Sequence, residues 1–172
     1  MAQKIAVCPG SFDPITLGHL DIIRRASGMF DQVIVLVSVN MKKTPTFTVE
    51  ERVDFIRRSI VGLDNVQVDS FVGLLAEYAK EKQVTALVKG LRAVTDFENE
   101  FQMALINQKL CPKVNTVFFN TSAEYMYLSS TIVKQVAGFG GDISEFIPAP
   151  ILKDVERRLK ASPWSQGQTG KK

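Results

Sequence analysis

Short apolar runs alternate along this chain with longer segments whose apolar residues recur at helical spacing, and this alternation restricts the fold more than any other feature. The runs predict strands at 4–8, 32–39, 66–70, 86–89 and 114–120. The segments between them predict helices at 18–29, 48–60, 73–82, 96–110 and 129–138, followed by a helical region at 143–160. Strands that alternate with helices form a parallel sheet whose crossovers cover both faces. We therefore predict an α/β fold: a single-domain, Rossmann-like, doubly wound parallel five-stranded sheet with helices on both faces, in which the second strand is central.

The size and charge of the chain restrict its organisation and its partners. Its 172 residues suffice for one packed domain, predicted at 1–161, and 162–172 lack apolar periodicity and are expected to be a mobile tail. The net charge of +3 is mild and no block of basic residues occurs, so nucleic-acid binding is not indicated. Two cysteines without metal-type spacing favour a reduced, cytoplasmic location, and no apolar run is long enough for a membrane span.

The first predicted strand runs into a loop rich in turn residues, and a helix follows directly. The stretch 9–19 reads P-G-S-F-D-P-I-T-L-G-H. The first turn of a helix has N–H groups without partners and a positive partial charge, so an anion, most often a phosphate, binds there. Ser11 and Thr16 add hydroxyl donors, and His19 falls in that first turn. A Walker A loop is absent from the sequence, and the second strand ends without the acidic residue of a dinucleotide site, which disfavours a hydride-transfer enzyme.

Further side chains suited to anions follow the other predicted strands. They are Lys43 after the second strand, Lys89 and Arg92 after the fourth, and Ser129, Ser130 and Thr131 at a helix start after the fifth. Because the carboxyl ends of parallel strands meet at one edge of a sheet, we expect these groups to surround a polyphosphate. Plainer interpretations remain: Lys43 as a solvated loop lysine, the three hydroxyl residues as a helix cap, and Glu100 as an acid that favours a helix start. No covalent nucleophile with a base partner is recognisable in the sequence, so we expect catalysis by positioning and charge stabilisation.

Three stretches of the sequence resemble one family of enzymes. They are G-S-F-D-P-I-T-L-G-H at 10–19, K-G-L-R-A-V-T-D-F-E at 89–98 and L-S-S-T-I-V-K at 128–134. Together they resemble the T/H-x-G-H nucleotidyltransferases and, among them, the phosphopantetheine adenylyltransferase family. The resemblance implies direct in-line transfer of the adenylyl group of ATP to 4′-phosphopantetheine, which gives dephospho-coenzyme A and pyrophosphate in the penultimate step of coenzyme A biosynthesis. It also implies Mg²⁺ bound with ATP, a homohexamer, and coenzyme A as a feedback ligand.

The resemblance further implies which residues form the site. His19 would stabilise charge on the α-phosphate, Lys43 with Ser11 would orient the attacking phosphate, and Arg92 would hold the leaving pyrophosphate. The residues implied for the acceptor are Ser11, Lys43, Leu75 and Lys89. The residues implied for ATP are Ser11, Phe12, His19, Gly90, Leu91, Arg92, Glu100, Tyr125, Met126, Tyr127, Leu128, Ser129, Ser130 and Thr131.

Some positions depart from the family pattern, and two alternative functions stay open. The departures are Lys89 and Gly138, where arginine is expected, Asn99, where tyrosine is common, and Thr131, where a third serine is frequent. Lysine keeps the charge of arginine but loses its two-pronged hydrogen bonding, which bears on acceptor binding at Lys89. One alternative is a sister nucleotidyltransferase with nicotinamide mononucleotide or a polyol phosphate as acceptor, which the stretch 89–98 disfavours. The other is a non-catalytic nucleotide sensor, which the intact set of cationic residues and His19 disfavours.

Overall fold

The computed structural model describes residues 3–39 and 44–160, and every strand and helix named here lies within them. The strands are β1 (Ile5–Gly10), β2 (Gln32–Ser38), β3 (Val66–Phe71), β4 (Ala86–Leu91) and β5 (Asn115–Asn120). The helices are α1 (Leu17–Ser27), α2 (Val49–Ser59), α3 (Leu75–Glu81), α4 (Val94–Leu110), α5 (Ser130–Gly138) and α6 (Leu152–Lys160). Each predicted element is therefore present, although the predicted tail at 162–172 lies outside the described residues.

The boundaries differ most at the C-terminal end. The predicted helical region begins at 143, whereas the observed one begins with a short 3-10 turn at Ala149–Ile151 and continues as α6. Pro150 lies in that turn, where its missing N–H costs nothing because the first turn of a helix has no acceptor for it. At the other helix starts the sequence is a better guide. Thr48 and Glu51 form a capping box at the predicted start of α2, with the Thr48 Oγ1 accepting from the Glu51 N–H at 3.2 Å.

All five strands are parallel and their order across the sheet is β3-β2-β1-β4-β5. The middle strand is thus β1, and the expectation that the second strand is central was wrong in that respect. β2 is nevertheless an interior strand. An apolar run indicates that both faces of a strand are covered, but it does not indicate the position of that strand in the sheet. The direction of winding reverses between β1 and β4. Doubly wound sheets bind their ligands at this switch point, outside the carboxyl ends of the strands.

Two hydrophobic clusters lie on opposite faces of the sheet. Successive residues of a strand point to opposite faces. Ala6 and Cys8 of β1 accordingly join the cluster that packs against α1, α2, α5 and α6, while Val7 joins the cluster that packs against α3. Helices on both faces of one sheet confirm the predicted doubly wound, single-domain fold.

Helix α4 is packed differently from the other helices. Of its 17 residues, only Asn107 is buried, although the helix is rich in apolar side chains. Those exposed by two-fifths or more are Val94, Phe97, Phe101, Met103, Leu105, Ile106 and Leu110. The set lies on two sides of the helix, with Met103, Ile106 and Leu110 opposite the other four, and we call the whole set the α4 apolar face. No helix in the described ranges combines the length and apolar character that a membrane span requires.

Candidate active site

A cavity of about 460 Å³ opens at the switch point, at the carboxyl ends of β1 and β4. Three separate segments contribute the predicted residues that line it. They are Ser11, Phe12 and His19 from the β1–α1 segment, Lys89, Gly90, Arg92 and Glu100 from β4 and α4, and Ser129, Ser130 and Thr131 from the start of α5. The structure therefore brings together most of the candidate residues for phosphate binding.

Two of the other candidates, Leu75 and Leu91, lie elsewhere. Lys43 is outside the described residues. Leu75, the first residue of α3, is half-buried and packs against the hydrophobic cluster beneath that helix. Leu91 ends β4 and does not line the cavity; its carbonyl accepts a hydrogen bond from the N–H of Thr121 at 2.8 Å.

The segment 125–128 passes beside the cavity without lining it. Leu128 is buried in the core, and its carbonyl accepts a hydrogen bond from Arg92 at 3.1 Å. Tyr125 packs beside Gly18, where a Cβ would lie 3.3 Å from the tyrosine Cβ. Met126 and Tyr127 are exposed. This segment thus supports α1 and Arg92 from behind.

His19 is fixed by the start of its own helix. Thr16 caps α1, and the His19 ring closes a capping box in which Nδ1 lies 3.0 Å from the Thr16 backbone N and 2.9 Å from Thr16 Oγ1. Because Nδ1 accepts the backbone N–H, the neutral ring carries its proton on Nε2. The ring lines the cavity, so Nε2–H is a hydrogen-bond donor for an anion bound there.

The environment of His19 keeps the ring neutral. Burial, reinforced by the positive charge of Arg92, lowers the pKa of His19 from 6.5 to about 4. The Phe12 ring and the imidazole pack in a T-shaped arrangement, with the ring centroids 5.2 Å apart. Gly10 makes room for that contact, since a Cβ there would lie 3.0 Å from the Phe12 ring. Gly10 itself also lines the cavity.

Both cations of β4 and its loop are paired with carboxylates of α4. Arg92 makes a two-pronged contact with Asp96, at 3.0 Å from Nε and 3.2 Å from Nη2, and Lys89 Nζ lies 3.0 Å from the Glu100 carboxylate. Glu100 is therefore more than a favourable charge near a helix start. These pairs hold the two cations at the cavity wall in fixed positions.

The start of α5 serves both as a helix cap and as a cavity wall. The Ser129 hydroxyl accepts the Ile132 N–H at 3.2 Å, which confirms the plainer interpretation for this residue. The Ser130 hydroxyl donates to the Pro14 carbonyl at 2.8 Å and so joins α5 to the β1–α1 loop. The first turn of α5 nevertheless lines the cavity, where helix N–H groups favour an anion.

Three polar lining residues were missed by the functional assignment from sequence: Asp96, Asn99 and Thr121. Asp96 follows Arg92 by four residues, a spacing that could have suggested the pair. Thr121 directly follows β5 and so lies at the expected sheet edge. Asn99 has no comparable local signal, because only the packing of α4 turns it toward the cavity.

The cavity lining offers no thiolate, and the described residues offer no cluster of metal ligands. Burial raises the pKa of the Cys8 thiol to about 12, with nearby Lys89 opposing the shift, so this lining residue stays a neutral thiol. No group of three His, Cys, Asp or Glu side chains within 3–39 and 44–160 is placed to hold a metal ion. What the cavity does offer is a set of fixed hydrogen-bond donors and cations.

Comparison with known proteins agrees with this site. Residues 7–136 match the cytidylyltransferase-like family. A nicotinic acid mononucleotide adenylyltransferase from Plasmodium falciparum, solved with NaAD, has the same fold, with a TM-score of 0.68 at 15% identity over 93% of this chain and 97% of that one. A phosphopantetheine adenylyltransferase from Alkaliphilus metalliredigens is 54% identical over 156 residues, 91% of this chain and 99% of the relative. Another from Alkaliphilus oremlandii is 56% identical over 157 residues, 91% and 100% of the two chains. Identity at this level over nearly the whole of both chains shows that the protein belongs to the phosphopantetheine adenylyltransferase family.

Proposed function

We propose that the reaction of this family takes place in the cavity around His19. The enzyme transfers the adenylyl group of ATP to 4′-phosphopantetheine and gives dephospho-coenzyme A and pyrophosphate. The observation that carries the assignment of the site is the neutral His19 ring, held by Thr16, in one cavity with three sets of phosphate-binding groups. Such fixed donors stabilise developing charge without having to reorganise during the reaction.

The chemistry requires no covalent intermediate on the protein. A phosphate oxygen of 4′-phosphopantetheine attacks the α-phosphorus of ATP in line, a new P–O bond forms, and the bond to the pyrophosphate oxygen breaks. His19 Nε2–H donates to an oxygen of the α-phosphate, where negative charge grows. Arg92, held by Asp96, binds the leaving pyrophosphate together with the first turn of α5. Ser11, Lys43 and Lys89 bind the attacking phosphate.

The remaining ligand contacts are assigned by the same proposal. ATP contacts Phe12, Gly90 and Glu100 of the cavity wall and the segment 125–131. Leu91 lies next to Gly90 and is assigned to the same ATP site. The apolar arm of the acceptor runs toward Leu75. Because Lys89 is paired with Glu100, the acceptor phosphate shares this lysine with a carboxylate. Coenzyme A has the same pantetheine arm as the acceptor and is therefore our candidate for a competing feedback ligand.

Mg²⁺ enters the site on the triphosphate in this proposal. The two carboxylates that line the cavity, Asp96 and Glu100, are engaged by Arg92 and Lys89, so they do not form a resident magnesium site. Mg²⁺ commonly binds to substrate phosphates with several waters and few protein ligands. Bound in this way, the ion neutralises part of the triphosphate charge.

We also propose a homohexamer in the cytoplasm. The α4 apolar face supports self-association, because monomeric proteins rarely expose so many apolar side chains on one element. A reduced compartment is supported by Cys8 and Cys111, which are both free thiols buried in the protein.

Pyrophosphate release tests the proposed reaction. ATP is supplied with 4′-phosphopantetheine, nicotinamide mononucleotide or glycerol phosphate in parallel, and we expect turnover with phosphopantetheine alone. His19→Ala should lower the rate about a hundred- to a thousandfold, the usual cost of losing one such donor. His19→Gln is the matched variant, because glutamine also completes a capping box and so keeps the helix start while removing the imidazole.

The other outcomes are equally informative. Turnover with a different acceptor would identify a sister nucleotidyltransferase. Binding of ATP without turnover on any acceptor would identify the nucleotide sensor. A His19→Gln variant with the wild-type rate would show that His19 serves only as a cap.

A further inference from the structure

The carboxylate of Asp13 joins three separate parts of the chain. Asp13 belongs to the β1–α1 loop, and its side chain is only 10% exposed. It accepts hydrogen bonds from the backbone N–H groups of Thr46 at 3.0 Å and Phe47 at 2.9 Å, just before α2. It also accepts one from Lys134 Nζ of α5 at 2.7 Å. One buried carboxylate therefore connects the β1–α1 loop both to the segment before α2 and to α5.

A second buried charge holds the other end of the same loop. Arg52 of α2 is 3% exposed, and its Nη1 donates to the Ser11 carbonyl at 2.8 Å. Its Nε donates to the Thr48 carbonyl at 3.2 Å. The loop segment 11–14 is thus held by two cations, because Arg52 bonds to the Ser11 carbonyl and Lys134 pairs with Asp13.

Neither Asp13 nor Lys134 lines the cavity around His19. Lys134 instead borders a separate, mostly apolar cavity of about 400 Å³ behind α5. Their pair nevertheless lies between the two segments that supply phosphate donors, the loop with Ser11 and the first turn of α5. Any effect of this pair on the reaction must therefore act through those segments.

We propose that Asp13, through its ion pair with Lys134, is a positioning residue that holds the first turn of α5 at the correct distance from the Ser11 loop during adenylyl transfer. The inference rests on the proposed function, because it assumes that both segments contact the transferred group or the leaving pyrophosphate. Fixed donors accelerate a reaction only when they lie where the charge develops, and a shift of about 1 Å can cost about a hundredfold in rate.

The chemistry of the pair makes it a stable anchor. Burial disfavours the ionised Asp13, but the Lys134 hydrogen bond and the two backbone N–H groups outweigh that cost and lower the pKa of the carboxyl below its ordinary value. The carboxylate therefore stays charged at neutral pH. Asparagine at this position would keep the acceptor for the backbone groups, but its amide NH₂ could not pair with the lysine.

The test compares four single variants and one double variant with the wild-type enzyme. Asp13→Asn and Lys134→Met remove the pair, Lys134→Arg keeps its charge, and Asp154→Asn removes a remote ion pair to Arg58 that has an N–O distance of 2.8 Å. Steady-state pyrophosphate release gives kcat and KM, calorimetric titration with ATP in the absence of acceptor gives binding, and thermal unfolding reports stability.

We expect kcat to fall about 10- to 100-fold in Asp13→Asn and Lys134→Met, with a much smaller change in ATP affinity. Lys134→Arg should recover most of the rate, and Asp154→Asn should stay near the wild-type rate. The double variant Asp13→Asn/Lys134→Met should be no slower than the worse single variant, because both changes break one contact. Lys134→Met also guards against misfolding, since the lysine side chain is 30% exposed.

Three results would overturn the inference. One is a lower melting temperature with an unchanged kcat, which would show a purely structural pair. Another is a loss of ATP affinity that equals the loss of kcat/KM, while kcat stays at the wild-type value. That result would show an effect on substrate binding and not on the transfer step. The third is a rate loss in the double variant equal to the product of the two single losses. A wild-type enzyme without turnover on any acceptor would instead refute the proposed function, so the two failures are distinguishable.

Discussion

The two ring nitrogens of His19 have different roles. Nδ1 accepts the Thr16 N–H that would otherwise lack a partner at the start of α1, and Nε2 is left as a donor at the cavity. A capping box normally uses glutamate or glutamine at this position. Because histidine takes their place, the bond that starts the helix also selects the tautomer that can donate to a phosphate.

Nuclear magnetic resonance can read this tautomer directly, since His19 is the only histidine in the chain. We expect ¹⁵N shifts of an unprotonated Nδ1 and a protonated Nε2, and a ring pKa of about 4 in the free protein. Added pyrophosphate should raise that pKa, because a nearby anion favours the charged ring. In the urea-unfolded chain the ring should titrate near its ordinary pKa of about 6.5.

The same shift predicts how stability depends on pH. The folded pKa lies below the unfolded one, so the unfolded chain binds the proton first as the pH falls. The stability that His19 contributes to the folded state is therefore complete above a pH of about 6.5. It is lost as the pH falls through the folded pKa of about 4. A folded-state ring that titrates near 6.5 and ignores pyrophosphate would contradict this account of the site.

At the scale of elements, the position of α1 over β4 depends on Gly90. A Cβ at this residue would lie 2.9 Å from Cγ1 of Ile22, one turn after His19 on the same helix. Helix and strand can approach this closely only because the glycine has no side chain. That contact therefore helps to set the distance between His19 and the two cations, Lys89 of β4 and Arg92 just after it.

Gly90→Ala should therefore push α1 away from the sheet. We expect a loss of stability of about 1–3 kcal/mol, typical of overpacking, together with a lower kcat. Gly138→Ala is the control, because nothing lies within 4 Å of its added methyl group. In that helical position alanine should stabilise the protein by about 0.5–1 kcal/mol. Chemical denaturation and pyrophosphate release measure both quantities, and equal behaviour of the two variants would refute the close contact.

These contacts mark the limit of what the sequence could predict. The strands, the helices and the sheet edge with its phosphate-binding groups follow from local patterns, because parallel strands end at a common edge. The central position of β1 in the sheet could not be predicted from such patterns, since β2 has the more continuous apolar run. The pairing of Lys89 with Glu100 depends on how α4 lies against β4, and the link from Asp13 to Lys134 spans 121 residues. Such contacts depend on tertiary packing that no local spacing encodes.

At the scale of the whole molecule, the α4 apolar face is the largest departure from a self-contained domain. Its side chains are exposed in a single copy of the chain, and a second copy would remove them from water. The free energy gained would be about 25 cal/mol for each Å² of apolar surface buried.

Light scattering coupled to size-exclusion chromatography tests this assembly. We expect a mass near six times the 19.1 kDa of one chain. Phe101→Glu, in the middle of the α4 apolar face, should reduce the mass because a buried carboxylate is costly. Val61→Glu is the matched control, since Val61 is 83% exposed and lies just beyond α2. A monomeric wild-type protein would contradict the proposal, as would equal masses for the wild type and Phe101→Glu.

The pairing of Lys89 and Arg92 with carboxylates has a consequence for the kinetics of ligand capture. Among the described charged residues that line the cavity, two cations face two anions and His19 is neutral, so their formal charges cancel. A field of this kind decays over a short distance and gives little long-range attraction to a polyphosphate. Among the groups of the proposed site, Lys43 is then the main one through which ionic strength should affect association, and orientation at contact should otherwise limit the rate.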